Sequence, residues 1–207
     1  MNNINDKNYT IRLEEPKDYK KVEKLTRESF WNVYRPGCLE HYVLHLYRDR
    51  PDFIPELDYV LEVDGKIIGH VMYAHSHIDC KDGTKLPIMT FGPISIAPEY
   101  KLKGWGTILL DYSMEKALEM NCGALAICGK FSFYGKCGFE VAKNRGILYE
   151  DDPTADYFLI KELKPNFLNG VEGTYKDPEG YFVDQDAAET FDKQFSPKEK
   201  LVLPGQL

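Results

Sequence analysis

The segment Gly92–Thr107 constrains the fold of this chain more than any other part of the sequence. An apolar, strand-like run passes through Gly92-Pro93, a pair that indicates a bend or bulge, and leads into a loop that carries Gly104 and Gly106. A helical pattern begins directly after the loop. Backbone N–H groups and the positive end of the helix dipole therefore converge on one point, which suits an anion such as a pyrophosphate.

Two better-known phosphate-binding motifs do not fit this loop. A P-loop places its lysine after the second glycine, whereas Lys103 precedes Gly104. A dinucleotide-binding fingerprint needs a third glycine where this chain has Leu109. Lys101 and Lys103 add positive charge to the loop. From this segment alone it stays open that the glycines serve only the geometry of a strand-to-helix turn.

The rest of the pattern mixes helices with strands, which is typical of an α/β protein. Helical spacing of apolar residues predicts helices over Tyr19–Phe30, Leu39–Tyr47, Thr107–Met120 and, more briefly, Ser132–Cys137. β-Branched and aromatic runs predict strands over Tyr9–Leu13, Leu57–Val63, Lys66–His77, Leu86–Ala97, Ala124–Cys128, Phe139–Val141 and Tyr157–Leu163. Asp64-Gly65 predicts a tight antiparallel hairpin between two of these strands.

The length of 207 residues suits one domain with an appendage, since domains commonly contain roughly 150 residues. We assign residues 1–163 to the domain. In residues 164–207 prolines and Asn169-Gly170 are scattered among aromatic residues, so this part is predicted to be an irregular arm packed on the domain.

Charge and cysteine content limit the partners and the compartment. The net charge of −7 disfavours a nucleic-acid partner and mildly favours a cationic acceptor. Five cysteines without a CxxC pair fit reduced thiols better than a disulfide framework. No stretch approaches the roughly 20 apolar residues that span a bilayer, and the start of the chain lacks a basic, then apolar leader. We therefore expect a cytoplasmic protein that does not bind membranes.

Two motifs resemble those of the GCN5-related N-acetyltransferase (GNAT) family, specifically its YhbS-like members. Pro98–Gly106 aligns without gaps with the family pattern Pro-x-Tyr-Gln-Gly-x-Gly-x-Gly, although Lys101 and Leu102 stand where glutamine or arginine and glycine are usual. Downstream, Phe133–Phe139 resembles the family element Phe-Tyr-x-x-x-Gly-Phe. Two motifs in the right order are more specific than one, and the resemblance covers Tyr9 to about Leu163.

This resemblance implies a GNAT fold, which is a mixed, mostly antiparallel sheet with helices on both faces and a splayed central strand pair. It also implies acetyl-CoA as co-substrate, without a metal. The residues that match the cofactor-binding positions of the family are Ile94, Ser95, Ile96, Lys101, Leu102, Lys103, Gly104, Trp105, Gly106 and Thr107. The expected activity is acetyl transfer to a primary amine of a small molecule or peptide.

Acyl transfer from a thioester requires a donor to the carbonyl oxygen, an acid for the departing thiolate and an acceptor for the amine proton. The resemblance gives the first role to the amide of Ile96 and the second to Tyr134. A phenol, with an ordinary pKa of about 10, can protonate a developing thiolate. The alternative for Tyr134 is a ring that only packs in the core. The base stays open among His75, His77, Glu99 and water.

Other interpretations remain beside this one. A zinc site at Cys38, His41 and His45 is disfavoured because no fourth ligand has suitable spacing. The stretch Trp31–Arg35 matches the family region that covers the acceptor, although its aromatic residues also suit a core. A non-catalytic module that binds CoA or acyl-CoA as a sensor is the main alternative function. The acyl-chain preference and the oligomeric state stay open, and a homodimer is one possibility.

Overall fold

The computed structural model describes residues 8–206, so the first seven residues, with the start of the predicted domain, and Leu207 lie outside the described part. Within this range the α-helices are α1 (Tyr19–Phe30), α2 (Glu40–Tyr47), α3 (Trp105–Glu119), α4 (Phe131–Tyr134) and α5 (Gln185–Asp192). The strands are β1 (Tyr9–Leu13), β2 (Tyr59–Val63), β3 (Lys66–Cys80), β4 (Lys85–Ile96), β5 (Ala124–Cys128), β6 (Glu140–Val141), β7 (Ile147–Tyr149), β8 (Phe158–Glu162) and β9 (Gly173–Tyr175).

The strands form one sheet in the order β1-β2-β3-β4-β5-β8-β6, and β9 joins it by pairing with β3 and with β7. The pairs β4–β5 and β7–β9 are parallel. The pairs β1–β2, β2–β3, β3–β9, β5–β8 and β6–β8 are antiparallel. The predicted mixed, mostly antiparallel sheet is therefore confirmed.

The chain divides into two compact units, which we describe separately. The first contains residues 8–72, Pro93–Leu110 and 179–206. The second contains Tyr73–Gly92 and Asp111–Pro178.

In the first unit, the hairpin between β2 and β3 turns through Asp64 (φ 51°) and Gly65 (φ 75°), as the sequence predicts. The two faces of β4 meet different helices, because neighbouring residues of a strand point to opposite sides. The Ser95 hydroxyl bonds the Thr26 hydroxyl on α1 at 3.0 Å. Ile96 and Leu109 of α3 both approach Gly69 of β3, since an added Cβ on Gly69 would meet their side chains at 2.8 and 3.3 Å. Helices thus cover both faces of the sheet here.

In the second unit, buried aromatic and aliphatic side chains form a core between the short strands. Phe158, Ile160, Tyr175 and Ile147 are almost entirely buried within it. The rings of Phe158 and Tyr175 are stacked with centroids 4.8 Å apart. This core fixes β7, β8 and β9 against one another.

The prediction of an irregular arm after residue 163 was wrong for two segments. Gly173–Tyr175 forms β9, and Gln185–Asp192 forms α5. A strand of three residues is too short to show an alternating pattern, and the N-cap of α5, where the Asp184 carboxylate accepts from the Ala187 amide at 2.7 Å, was overlooked. The division at residue 163 itself stays a prediction. Among residues 8–206, no helix has both the length and the apolar character to cross a bilayer.

Candidate functional site

The bend in β4 lies where its pairing with β5 stops. Within the described chain the parallel ladder consists of Met89 with Leu125 and Thr90 with Ala126. Two residues later Gly92 has a φ of 130°, which a residue with a side chain rarely adopts. The predicted splay of the two central strands is therefore present, and glycine permits it.

Beyond the bend, Ile94–Ile96 offers its backbone rather than its side chains. The Ser95 side chain is buried and held by Thr26. The Ala97 amide bonds the Ile68 carbonyl of β3 at 2.8 Å, so the preceding amide, that of Ile96, points to the opposite edge of the strand. The Ile96 carbonyl is fixed by the Ser29 hydroxyl at 2.8 Å. This arrangement anchors the strand end and turns the Ile96 amide away from β3.

The loop after β4 is held by its lysines in an unexpected way. The Lys101 Nζ donates to the Ser29 carbonyl at 2.6 Å, and burial lowers the pKa of this lysine. The Lys103 Nζ donates to the Glu99 carbonyl at 2.6 Å. Lys101 thus ties the loop to the end of α1, a role that the sequence did not reveal.

The backbone of Leu102 explains why glycine is usual at its position. Leu102 has a φ of 58°, in the left-handed region, and its side chain is fully exposed. A non-glycine residue costs about 1–2 kcal/mol there. The loop therefore keeps the conformation that a glycine would adopt easily, and Gly104 follows with a φ of 88°.

The N-terminal end of α3 presents a row of unbonded amides. The amides of Thr107 and Ile108 bond the Gly104 carbonyl at 3.1 Å. Among residues 8–206, by contrast, no backbone acceptor pairs with the amides of 102 and 104–106. The Trp105 ring is buried and packs edge-on against Tyr9 with centroids 5.6 Å apart, so only its backbone is available. The amides and the dipole of this 15-residue helix together suit a diphosphate.

Tyr134 ends α4 in the second unit and is 8% exposed. Its ring contacts Phe91, Phe133 and Phe139, with centroids 5.9, 4.9 and 5.6 Å away. Gly129 leaves room for the ring, because an added Cβ there would collide with it. The position of the ring is thus closely determined by its neighbours.

The three candidate bases differ in their surroundings. The Glu99 carboxylate is exposed and pairs with Lys66 at 2.7 Å, and this hydrogen bond lowers its pKa. His77 Nε2 lies 2.8 Å from the Lys85 Nζ. His75 is exposed on β3. Glu99 and His77 are thus both engaged by lysines, which weakens the case for either as a base.

The residues considered for zinc do not converge. The Cys38 Sγ lies 3.1 Å from His41 Nδ1, but His45 Nδ1 turns to the Glu23 carboxylate at 2.9 Å. On its other side His41 Nε2 lies 3.0 Å from the Asp192 carboxylate, which Arg27 also binds. These contacts fasten α5 to α1 and α2.

Burial lowers the pKa of His41 from its ordinary value of about 6.5 to about 4. The folded state therefore favours the neutral imidazole, and its contribution to stability is lost as the pH falls from about 6.5 to 4. Wild type should therefore lose more stability than His41→Phe when the pH is lowered from 7 to 4. We expect the difference between their free energies of unfolding to change by up to about 3 kcal/mol in favour of the variant. Urea unfolding at both pH values measures this change.

The matched control is His45→Phe, which removes a 46% exposed imidazole from the same helix. The pH dependence of the free energy of unfolding should differ from that of wild type more in His41→Phe than in His45→Phe. Equal pH dependence in wild type and His41→Phe would contradict the prediction.

Glu14, Asp58 and His70 form a polar group that the sequence did not indicate. Their potential ligand atoms lie within 4.8 Å of one another. His70 Nε2 lies 2.7 Å from the Asp58 carboxylate, and Arg48 binds Glu14 with two nitrogens, at 2.9 and 2.8 Å. Burial raises the pKa of Glu14 to about 7 and that of Asp58 to about 6. Arg48 supplies a positive charge to this group. The group of Glu14, Asp58 and His70 is therefore assigned a structural role.

The predicted acceptor-covering stretch Trp31–Arg35 borders a small cavity in the first unit. The cavity measures about 50 Å³ and is also lined by Cys38 and Asp192. The Trp31 indole donates to the Glu199 carbonyl at 2.8 Å, and the Arg27 guanidinium lies 4.1 Å from its ring centroid. The stretch therefore serves at least to hold the C-terminal segment.

In the second unit, the Asp177 carboxylate has two tyrosine partners, which the sequence did not indicate. The Tyr149 hydroxyl donates to one Asp177 oxygen at 2.7 Å, and the Tyr175 hydroxyl donates to the other at 3.0 Å. The spacing Tyr175-x-Asp177 was visible in the sequence. Its significance was not, because Tyr149 lies 28 residues away from Asp177.

Comparisons with known proteins identify the family and the fold of this chain. The sequence profile of the acetyltransferase (GNAT) family matches residues 22–139. The uncharacterized N-acetyltransferase YjhQ of Escherichia coli strain K12 is 28% identical over 87 residues, which are 42% of this chain and 47% of YjhQ. The match therefore spans less than half the length of that relative.

Two solved structures share the fold. The GNAT family N-acetyltransferase YhbS from Escherichia coli, in complex with CoA, has a TM-score of 0.73 at 24% identity, over 84% of this chain and 91% of that chain. A GNAT family acetyltransferase from Brucella melitensis, in complex with acetyl-CoA, has a TM-score of 0.66 at 19% identity, over 84% and 99% of the two chains.

Proposed function

The chain belongs to the acetyltransferase (GNAT) family, and on this premise we propose that it transfers an acetyl group from acetyl-CoA to a primary amine of a small molecule or peptide. The observation that carries the proposal is the set of unbonded amides at residues 102 and 104–106, at the end of a bent strand. A helix terminus of this kind binds the CoA diphosphate through backbone N–H groups. The two solved relatives described above contain CoA or acetyl-CoA.

The cofactor-binding roles follow from which groups are available. Gly104, Gly106 and Thr107 present backbone at the end of α3, and Trp105 and Leu102 contribute their amides. Ile94, Ser95 and Ile96 bind the pantetheine arm through the backbone, since the Ser95 hydroxyl is engaged by Thr26. Lys103 adds charge near the loop. Lys101 acts indirectly, because its ammonium holds the loop against Ser29.

In the proposed reaction the amine nitrogen attacks the thioester carbonyl carbon, and the carbon–sulfur bond then breaks. The Ile96 amide, directed away from β3, stabilises the negative charge on the carbonyl oxygen. CoA leaves as a thiolate, which takes the proton of the Tyr134 hydroxyl. The close packing of the Tyr134 ring supports this role, because a general acid must be held in a defined position.

One observation favours a second candidate, a module that binds acyl-CoA without catalysis. Glu99 and His77, both predicted as possible bases, are engaged by lysines. A panel of primary amines tested for release of free CoA distinguishes the two functions. CoA release with at least one amine supports the acetyltransferase, whereas tight acetyl-CoA binding without release from any amine supports the module.

Compartment and assembly complete the proposal. The five cysteines, which lie among the described residues, form no disulfide, and this fits a reducing environment such as the cytoplasm. The acyl-chain preference is tested by comparing acetyl-CoA with longer acyl-CoA donors in the same assay. A homodimer stays a prediction, which light scattering tests.

A further inference from the structure

Asp177 is a largely buried carboxylate without a cationic partner. Among residues 8–206, no Lys, Arg or His forms an ion pair with it, and its neighbour Lys176 pairs with Glu150 at 2.9 Å. Buried carboxylates in proteins are usually paired with a cation, because desolvation of an isolated charge is costly. Two phenol hydroxyls stabilise this one, but they bring no positive charge. The surroundings are thus suited to a cation that arrives from outside.

The Tyr175 and Thr90 side chains place Asp177 near the point where the central strands separate. The Tyr175 hydroxyl interacts with Thr90 as well as with Asp177. The Thr90 hydroxyl in turn donates to the Ala126 carbonyl at 3.0 Å. Thr90 and Ala126 form the last pair of the β4–β5 ladder. Asp177 therefore lies, through two side chains, next to the start of the splay.

The end of β5 confirms this placement. The Cys128 thiol, at the last residue of β5, interacts with the Tyr149 hydroxyl and lies close enough to Asp177 for their charges to interact. Cys128 is partly exposed, as is Asp177. The carboxylate can thus be reached from solvent at the carboxyl end of the central strand.

The walls around the carboxylate are aromatic. The rings of Tyr149, Phe158 and Tyr175 are stacked, with centroids 5.4 and 4.8 Å apart between neighbours. Tyr157, which is 46% exposed, meets Tyr149 edge-on at 6.2 Å. Tyr157 is the exposed ring of this group, and an exposed aromatic ring attracts an alkylammonium group because its face is negative and the alkyl chain is apolar.

We propose that Asp177 binds the ammonium group of an aliphatic primary amine, the acceptor, and takes one proton from it, so that the nitrogen gains the lone pair with which it attacks the acetyl carbon. The inference rests on the proposed function. The first N–H bond breaks as a carboxyl O–H bond forms on Asp177. The neutral amine then forms the nitrogen–carbon bond, the carbon–sulfur bond of acetyl-CoA breaks, the Tyr134 proton passes to the thiolate, and the second nitrogen proton returns to the Tyr134 oxygen. Asp177 is then a base that sequence analysis did not include among His75, His77, Glu99 and water.

The electrostatic surroundings fit a base. Burial raises the pKa of Asp177, the charge of Asp151 raises it further, and the two tyrosine hydroxyls lower it. The titratable groups that face the carboxylate are Tyr149 from β7, Tyr175 from β9, Cys128 from β5 and Asp151 from the loop after β7. A carboxylate with a raised pKa is a stronger base than an exposed one, and proton transfer by such a group contributes about 10²–10⁴-fold.

The test compares Asp177→Asn with the matched control Asp156→Asn, whose side chain is 83% exposed on the same part of the chain. For an aliphatic amine from the panel, we expect kcat/KM of Asp177→Asn to fall about 100-fold at pH 7, with acetyl-CoA affinity within about twofold of wild type. The control should stay within about threefold. For an arylamine, which is uncharged at pH 7 and cannot use the ammonium contact, the loss should be under about tenfold.

A pH profile separates a base from a structural role. Wild-type kcat/KM for the aliphatic amine should rise with pH as Asp177 loses its proton and then level off well below the pKa of the amine itself, about 10.4. In Asp177→Asn this lower limb should be missing, and only a rise toward the pKa of the amine should remain. Thermal melting shows whether Asp177→Asn folds. If it does not fold, the inference is tested on the wild-type pH profile alone. The limb must then occur with the aliphatic amine and be weaker with the arylamine. A profile without that limb would overturn the inference.

The remaining outcomes are distinct. If wild type acetylates amines and Asp177→Asn does so within about threefold of the control, the inference fails and the proposed function stands. An equal loss with aliphatic amine and arylamine also overturns it, since a structural defect affects both. If wild type binds acetyl-CoA but acetylates no amine, the proposed function fails, and the inference fails with it.

Discussion

Replacing Gly104 by valine is expected to weaken acetyl-CoA binding about 1000-fold in isothermal titration calorimetry. Gly104 has a φ of 88°, which a β-branched residue adopts only with strain. The loop must then leave the conformation in which the amides of residues 102 and 104–106 stay unbonded. A hydrogen bond to a charged group is worth about 1.5–3 kcal/mol, so the loss of two amounts to about 4 kcal/mol, or about 1000-fold.

The control Gly83→Val separates loss of the site from backbone strain. Gly83 has a φ of 85°, lies in the turn between β3 and β4, and has open space around its Cα. Valine there carries a similar backbone cost, so thermal melting should shift similarly in both variants. Acetyl-CoA affinity should stay within about twofold of wild type in Gly83→Val. If Gly104→Val also binds within about threefold of wild type, the loop is not the diphosphate site.

The elements that the sequence predicted are those governed by local rules. The Asp64-Gly65 turn, the bend at Gly92 and the turn at Gly104 before α3 depend on which backbone angles a residue can adopt. The motif residues followed the same logic, since Gly104 takes the positive φ that the family pattern implies. Leu102 takes a positive φ too, although its residue type disfavours it. The interactions that hold the loop therefore outweigh the backbone preference of Leu102 for a negative φ.

Side-chain destinations could not be predicted, because they depend on distant partners. Lys101 was expected to add charge for an anion, but its ammonium reaches the Ser29 carbonyl, 72 residues earlier in the chain. Ser95 similarly turns to Thr26. The sequence specifies that these groups are polar and does not specify which acceptor the fold brings near. Both residues consequently position the backbone of the proposed site rather than reach into it.

The base was missed for the same reason. Tyr175 and Asp177 are separated by one residue, but Tyr149 comes from another strand, and the two meet only because β7 pairs with β9. The three-residue β9 carries too little pattern to be predicted as a strand. His77 and Glu99 were easier to notice in the sequence, and lysines engage both. A charged residue becomes informative only when the structure shows which groups neutralise it.

A Tyr134→Phe variant is expected to lower kcat about 1000-fold, in the middle of the range for a general acid, while the dissociation constant for acetyl-CoA stays within about twofold of wild type. The substitution removes the hydroxyl and keeps the ring, whose contacts with Phe91, Phe133 and Phe139 should persist. CoA must then leave as an unprotonated thiolate. Steady-state kinetics with an amine from the panel, together with calorimetric binding of acetyl-CoA, measure both quantities.

Tyr73→Phe is the matched control, because it removes a hydroxyl from another buried tyrosine that contacts the same Phe91 ring, at 5.3 Å between centroids. The Tyr73 hydroxyl bonds Ser113 at 2.8 Å, so its loss costs about 1 kcal/mol of stability. Its kcat should nevertheless stay within about twofold of wild type. A comparable kcat in Tyr134→Phe and Tyr73→Phe would assign Tyr134 to the core, as a packed ring, and would require another acid for the thiolate. A loss confined to Tyr134→Phe, with both variants folded and binding acetyl-CoA, leaves protonation of the thiolate as the step that the hydroxyl performs.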